Sequence, residues 1–154
     1  MQSVTISKTP AVQATPDYSI GDVIGGVMTL SGAVAFPGDG GVIEHAAAYV
    51  AIDASLLPLA VLVFNANPTA STTTENGTFA LHANDAAKLV GVLDLDQVAD
   101  LGTPVILYTA SAHVPFTVPA GKDLYAVAIA SGTMNLGSTS DLTFVFGIRR
   151  DRDQ

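Results

Sequence analysis

The chain has 154 residues, enough for one domain to bury a core without staples, and carries fourteen acidic against six basic residues for a net charge of −8. That balance repels a phosphate backbone, and no basic stripe overrides it, which argues against nucleic-acid binding. Cysteine is absent, which removes disulfides, thiolate metal sites and cysteine nucleophiles together.

Hydrophobic residues make up 49% of the chain and charged residues only 13%. The mean hydropathy of +0.44 raises the question of a membrane span. The most apolar window, residues 56–64, is interrupted by Pro58 and followed by Asn65, far short of the roughly 20 residues that cross a bilayer. Residues 1–16 hold one lysine and no apolar run of the secretory kind. The reading is a soluble protein with little polar surface, some of whose apolar surface is covered by copies of itself or by a partner.

Residues 1–17, with Pro10 and Pro16, read as an extended N-terminal arm, because proline lacks an N–H and restricts its predecessor. From Tyr18 onward short apolar runs alternate with Gly, Pro, Asn and Asp. Residues 23–30 form a strand with a bulge at Gly25-Gly26. Phe36-Pro-Gly-Asp-Gly-Gly41 is a loop. Residues 42–52 form a long strand whose Ala46-Ala-Ala48 suggests a closely approached surface, and residues 56–64 form a central one. A polar loop over 65–77 leads to a short strand at 79–81. Asn84-Asp-Ala-Ala-Lys-Leu89 predicts one helical turn capped by Asn84 or Asp85, and residues 96–101 a second. Strands follow at 90–95, 104–110, 114–118, 124–131 and 142–148, with a hairpin-like loop over 132–140.

This pattern predicts an all-β fold: a jelly-roll-like antiparallel sandwich or barrel of about eight strands with one or two short helical turns. Residues 18–150 make the single sandwich domain and residues 151–154 a charged tail.

Catalytic constellations are missing from the pattern. The three histidines, His45, His82 and His113, each stand alone. A metal-binding jelly roll would set two of them two residues apart, on one face of a strand. No Gly-x-Ser-x-Gly elbow is present, and Ser131 before Gly132 reads as a strand end. Asp85, Asp94, Asp96 and Asp100 lack the spacing of a calcium loop and read as a solvated acidic face. The expectation is a protein that is not an enzyme and carries no cofactor or metal. Half of the six basic residues, Arg149, Arg150 and Arg152, cluster at the C-terminal end. Guanidinium groups there suit bidentate pairing with carboxylates on a partner. With Pro10 and Pro16 of the arm they are the candidate partner-binding residues.

Four segments carry a resemblance: Tyr18-Ser-Ile-Gly-Asp-Val-Ile-Gly-Gly26; Leu62-Val-Phe-Asn-Ala-Asn-Pro-Thr69; Asn84-Asp-Ala-Ala-Lys-Leu-Val-Gly-Val92; and Leu124-Tyr-Ala-Val-Ala-Ile-Ala-Ser-Gly132 with the closing Ser138-Thr-Ser-Asp-Leu-Thr-Phe-Val-Phe-Gly147. Over most of residues 18–150 the chain resembles capsid decoration, or cement, proteins of tailed bacteriophages. The resemblance implies a homotrimer made in the host bacterial cytoplasm. It would sit on the outer surface of the virion head, bound to the major capsid protein. The motifs are structural, so no active-site residue is carried over. Two other classes stay open: a receptor- or glycan-binding head of a tail or fibre protein, and a jelly-roll enzyme. The first would want exposed aromatics or a calcium site near its loop tips, whereas Tyr49, Tyr108 and Tyr125 fall on strands.

Overall fold

The computed structural model describes residues 2–50, 58–102 and 105–152. The chain folds into two antiparallel sheets packed face to face. The strands are β1 (Gln2–Lys8), β2 (Val23–Leu30), β3 (Gly40–Val50), β4 (Leu59–Phe64), β5 (Leu89–Leu95), β6 (Gln97–Asp100), β7 (Val105–Tyr108), β8 (Val114–Thr117), β9 (Leu124–Ala130) and β10 (Leu142–Arg150), with one helical turn, α1 (Ala83–Ala86). One sheet runs β1-β10-β3-β8 and the other β2-β9-β4-β5. Chain order alternates between them in the way that defines a jelly roll. The hairpin β6–β7 is inserted between β5 and β8 and extends the first sheet.

The long strand β3 makes this possible. Its first half, Gly40 to Ile43, pairs with β8, and its second half, Ala47 to Val50, pairs with β7. A bulge divides the two halves where Gly147 lies opposite His45 and Ile148 opposite Ile43. Glu44 is left over in the ladder.

Burial follows the period of two along β10, whose alternate residues from Leu142 to Arg150 are buried. Phe144 and Phe146 turn inward and stack with centroids 6.5 Å apart. In register they face Ala48 and Ala46 on β3, small residues that leave room for the rings. Burying each ring contributes about 1.5–3 kcal/mol. The opposite wall is Val61 and Val63 of β4, Leu93 and Leu95 of β5, and Ala126 and Ala128 of β9. A second, smaller cluster of Val23, Phe64 and Val127 lies on the other side of β2-β9-β4, with Phe79 packed against it.

Several expectations need correction. Residues 96–101 hold no helical turn; Gln97–Asp100 is a strand, paired with β7 in register. Residues 79–81 form no strand, and that stretch makes only an isolated bridge, Thr72 to Ala80. The cap of α1 is His82, whose Nδ1 accepts the Asn84 N–H at 3.1 Å, and neither Asn84 nor Asp85. The expected strand over 42–52 begins at Gly40 and its last two residues lie outside the described residues, as do residues 56 and 57 of the expected strand over 56–64 and residue 104 of the one over 104–110.

Of residues 1–17, expected as an arm, residues 2–17 are built into the domain. Gln2–Lys8 pairs with β10 over its whole length, from Gln2 opposite Arg150 to Lys8 opposite Phe144. Thr9 and Thr143 share a hydroxyl hydrogen bond of 2.8 Å, and buried Val12 donates its N–H to the Thr139 carbonyl.

Candidate docking surface

The candidate partner-binding residues do not form one patch. Arg149 and Arg152 are presented outward at the end of β10, each beside a carboxylate of β3 or the loop before it. Arg149 Nε lies 3.1 Å from Glu44 Oε1, the bulge residue, and both side chains are substantially exposed. Arg152 Nε lies 3.4 Å from Asp39 Oδ1, with the arginine 73% exposed. The exposed Arg149–Glu44 pair is worth under about 1 kcal/mol and exchanges readily for a carboxylate on another surface, whereas Asp39 is itself buried.

Arg150 is different. It is 7% exposed, donating from one terminal nitrogen to Gln2 Oε1 at 3.1 Å and from the other to the Gly32 carbonyl. Its alternation along β10 turns it inward, whereas Arg149 turns out. It is therefore not free to meet a partner carboxylate.

Pro10 is half-buried against Gly25, where a Cβ would overlap the proline ring. Pro16 is exposed, and its carbonyl accepts from Asn76 Nδ2 at 3.1 Å. Pro16 thus joins the N-terminal segment to the loop after β4, and Pro10 packs it on β2. Glu75 is the centre of this clasp. Its carboxylate accepts from the Tyr18 hydroxyl, from the Gly25 N–H, and from the Gln13 N–H at 3.3 Å. Burial first, and then the hydrogen bond to Glu75, push the Tyr18 phenol far above its ordinary value.

A second buried anchor holds the same loop. Asp85 has no exposed side-chain surface. Its carboxylate accepts from the Ala70 N–H, the Ser71 N–H and the Ser71 hydroxyl at 2.7–2.9 Å, and from Lys88 Nζ at 2.6 Å. The Lys88 ammonium, with the Ser71 hydroxyl and the two N–H groups, holds the carboxyl down at about 2, against the cost of burial. Sequence reading placed Asp85 on an acidic surface. The signal that identifies it is the Asp-x-x-Lys spacing from Asp85 to Lys88, which puts acid and base on one side of a single helical turn.

The histidines are dispersed. His45 is exposed on β3, His82 caps α1, and His113 lines a cleft of about 350 Å³ with Asp94, Asp96 and Thr109. The Ser131 hydroxyl donates to the Pro58 carbonyl. Among the described residues, no three His, Asp or Glu side chains are placed to hold a metal ion. A wider groove of about 540 Å³ is lined by Gly41, Val42, Pro115, Phe116 and Asp151 at the β3–β8 end. No helix among the described residues is long and apolar enough to cross a membrane.

Exposed apolar side chains on the hairpin insertion include Val98 at 52% and Leu101 at 72%; Tyr108, also exposed, falls on the opposite face of the β6–β7 ladder from Val98. Comparison with protein-family models, with curated proteins and with solved structures finds no match to this chain.

Proposed function

We propose that the protein is a structural virion component, a capsid decoration protein that binds the major capsid protein on the outer surface of a tailed-phage head. The resemblance of residues 18–150 names the class. The observation that carries the docking role is the presentation of Arg149 on β10 and of Arg152 just beyond its end. That strand is paired on both sides, by β1 and by β3, so its end is held in place. It presents two guanidinium groups, each beside a carboxylate of its own chain, for exchange onto carboxylates of a partner surface.

The mechanism is thermodynamic. A protein that binds the assembled lattice and not its free subunits stabilises that lattice by mass action. A subunit seated across adjacent capsomers couples them, so that opening one contact requires breaking several.

The test is cryo-electron microscopy of particles made with the gene, without it, and with an R149E/R152E version. Head-surface density that disappears on deletion and is depleted in the double variant supports the proposal. Density at the tail or fibre tip would instead make the protein a receptor- or glycan-binding head. Head density undiminished by R149E/R152E would put the contact elsewhere on the molecule.

A further inference from the structure

The two sheets have five edge strands among the described residues, and four of them are guarded. β8 is only four residues long and carries Pro115. The edge of β2 is covered by the loop after β4: Asn76 N–H donates to the Val23 carbonyl, Val23 N–H to the Gly77 carbonyl, and Gly25 N–H to Glu75. A register shift between Ile24 and Val27 breaks it further. The edge of β5 packs against β8, with Gly91 letting Val114 come into close contact. The β6 edge is only four residues long and is flanked by Asp96 and Asp100. Short length, bulges, covering loops and charge are the devices by which proteins block edge pairing.

β1 has none of these before its last residue, Lys8. It is seven residues long, without proline, and its ladder to β10 runs uninterrupted. Its other edge makes no backbone hydrogen bond among the described residues. A regular strand left open in this way is a template for another strand.

The sequence of β1 indicates which strand. In Gln2-Ser-Val-Thr-Ile-Ser-Lys8 the five central residues, Ser3 to Ser7, read the same in chemical class from either end. An antiparallel pair of two such strands, with Thr5 on the axis, sets Val4 against Ile6, Ser3 against Ser7 and Gln2 against Lys8. Thr–Thr pairs and apolar β-branched pairs are favourable cross-strand neighbours. The sole charge, Lys8, is kept from its copy by six residues, about 20 Å, well beyond the screening length of about 10 Å. Val4 is only partly buried beside the core, and the partner's Ile6 would complete its cover.

We infer that the free edge of β1 binds a second copy of this chain, joining two six-stranded sheets into one across a two-fold axis through Thr5. The inference does not depend on the shell-binding proposal. It replaces the three-fold arrangement that the resemblance implies with a two-fold one.

The absence of cysteine makes the test clean. Thr5 is exposed, so substitution there leaves the core intact. Sedimentation equilibrium of the full chain should give twice the 15.7 kDa chain mass, falling to the single-chain mass in T5K with an unchanged circular-dichroism spectrum. As a second variant, T5C places two cysteines directly opposite, with Cβ atoms about 4.5–5.5 Å apart, and should oxidise to a covalent dimer. S3C puts them four residues apart, about 14 Å, and should stay reduced. A monomeric wild type overturns the inference, as does a trimer whose mass T5K leaves unchanged. Equal crosslinking of T5C and S3C would do so too. A wild type that is monomeric alone but loses particle binding in T5K would assign the edge to another protein's strand, and would also overturn it.

Discussion

Asp85 and Lys88 form an ion pair of 2.6 Å whose acidic partner is wholly enclosed, so that α1 is bolted to the loop at Ala70 and Ser71. The Lys88 ammonium also donates to the Asn67 carbonyl at 3.0 Å, closing the bolt from the other side. The folded carboxyl titrates at about 2, below its ordinary 3.8. A depressed folded value means that Asp85 contributes its full stability above the unfolded value of about 4 and loses it as pH falls through about 2. Thermal melts between pH 5 and pH 2 should therefore show a fall in Tm that D85N lacks, its Tm being already several degrees lower at neutral pH. Equal pH profiles for the two proteins would remove Asp85 from that role.

The buried side of this arrangement was the part least legible in the sequence. Alternation in Leu142 to Ile148 and the double glycine of β2 marked a strand and a bulge because backbone period and glycine geometry act locally. The Phe–Ala register between β10 and β3 had a partial trace in the run Ala46-Ala-Ala48. Asp85 leaves a local trace in its spacing from Lys88, but Glu75 and Tyr18 leave none of comparable strength, because their partners lie far away in the chain: Glu75 meets Tyr18 across 57 residues and Gly25 across 50. β1 was read as an arm for a related reason. Only its pairing with β10, at the other end of the chain, makes it part of a sheet. The segment 96–101 was misread because Asp-Gln-Val-Ala-Asp suits a helical turn as well as a short edge strand, and β7 decides the matter by pairing with it.

Gly25 tests the bulge and the N-terminal packing together. It has φ +80° and Pro10 lies directly where a Cβ would be placed, whereas Gly38, at φ +86°, has nothing nearby. Both Gly→Ala changes incur the left-handed backbone cost of about 1–2 kcal/mol. G25A must also displace Pro10, so its loss of stability should exceed that of G38A by at least about 1 kcal/mol. Chemical denaturation of the two variants measures the difference, and equal losses would show that Pro10 yields freely.

Tyr18 tests the clasp at Glu75. Y18F keeps the ring in its buried site but leaves the carboxylate without its hydroxyl donor and the Gln13 N–H without its 2.8 Å acceptor. Loss of a hydrogen bond to a charged group predicts a cost of about 1.5–3 kcal/mol. In wild type the raised phenol should stay protonated through an alkaline titration until the protein unfolds, which ultraviolet absorbance at the phenolate band would follow.

Removal of residues 1–8 distinguishes a structural strand from a detachable arm. A detachable arm would leave the melting transition where it was and affect only association. Here the deletion strips the full ladder from one side of β10 and takes Ile6 out of the core cluster. Loss of one such buried side chain alone costs about 2–5 kcal/mol, comparable with much of a domain's stability. It also exposes the edge of β10, whose residues from Leu142 to Ile148 are mostly apolar and lack proline, to pairing with other chains. The truncated protein should melt at least 10 °C lower, or fail to show a cooperative transition, and should scatter light on heating before the full-length chain does. A truncated chain that melts with the full-length one, without added scattering, would show that β1 lends the sandwich nothing and is free to act elsewhere.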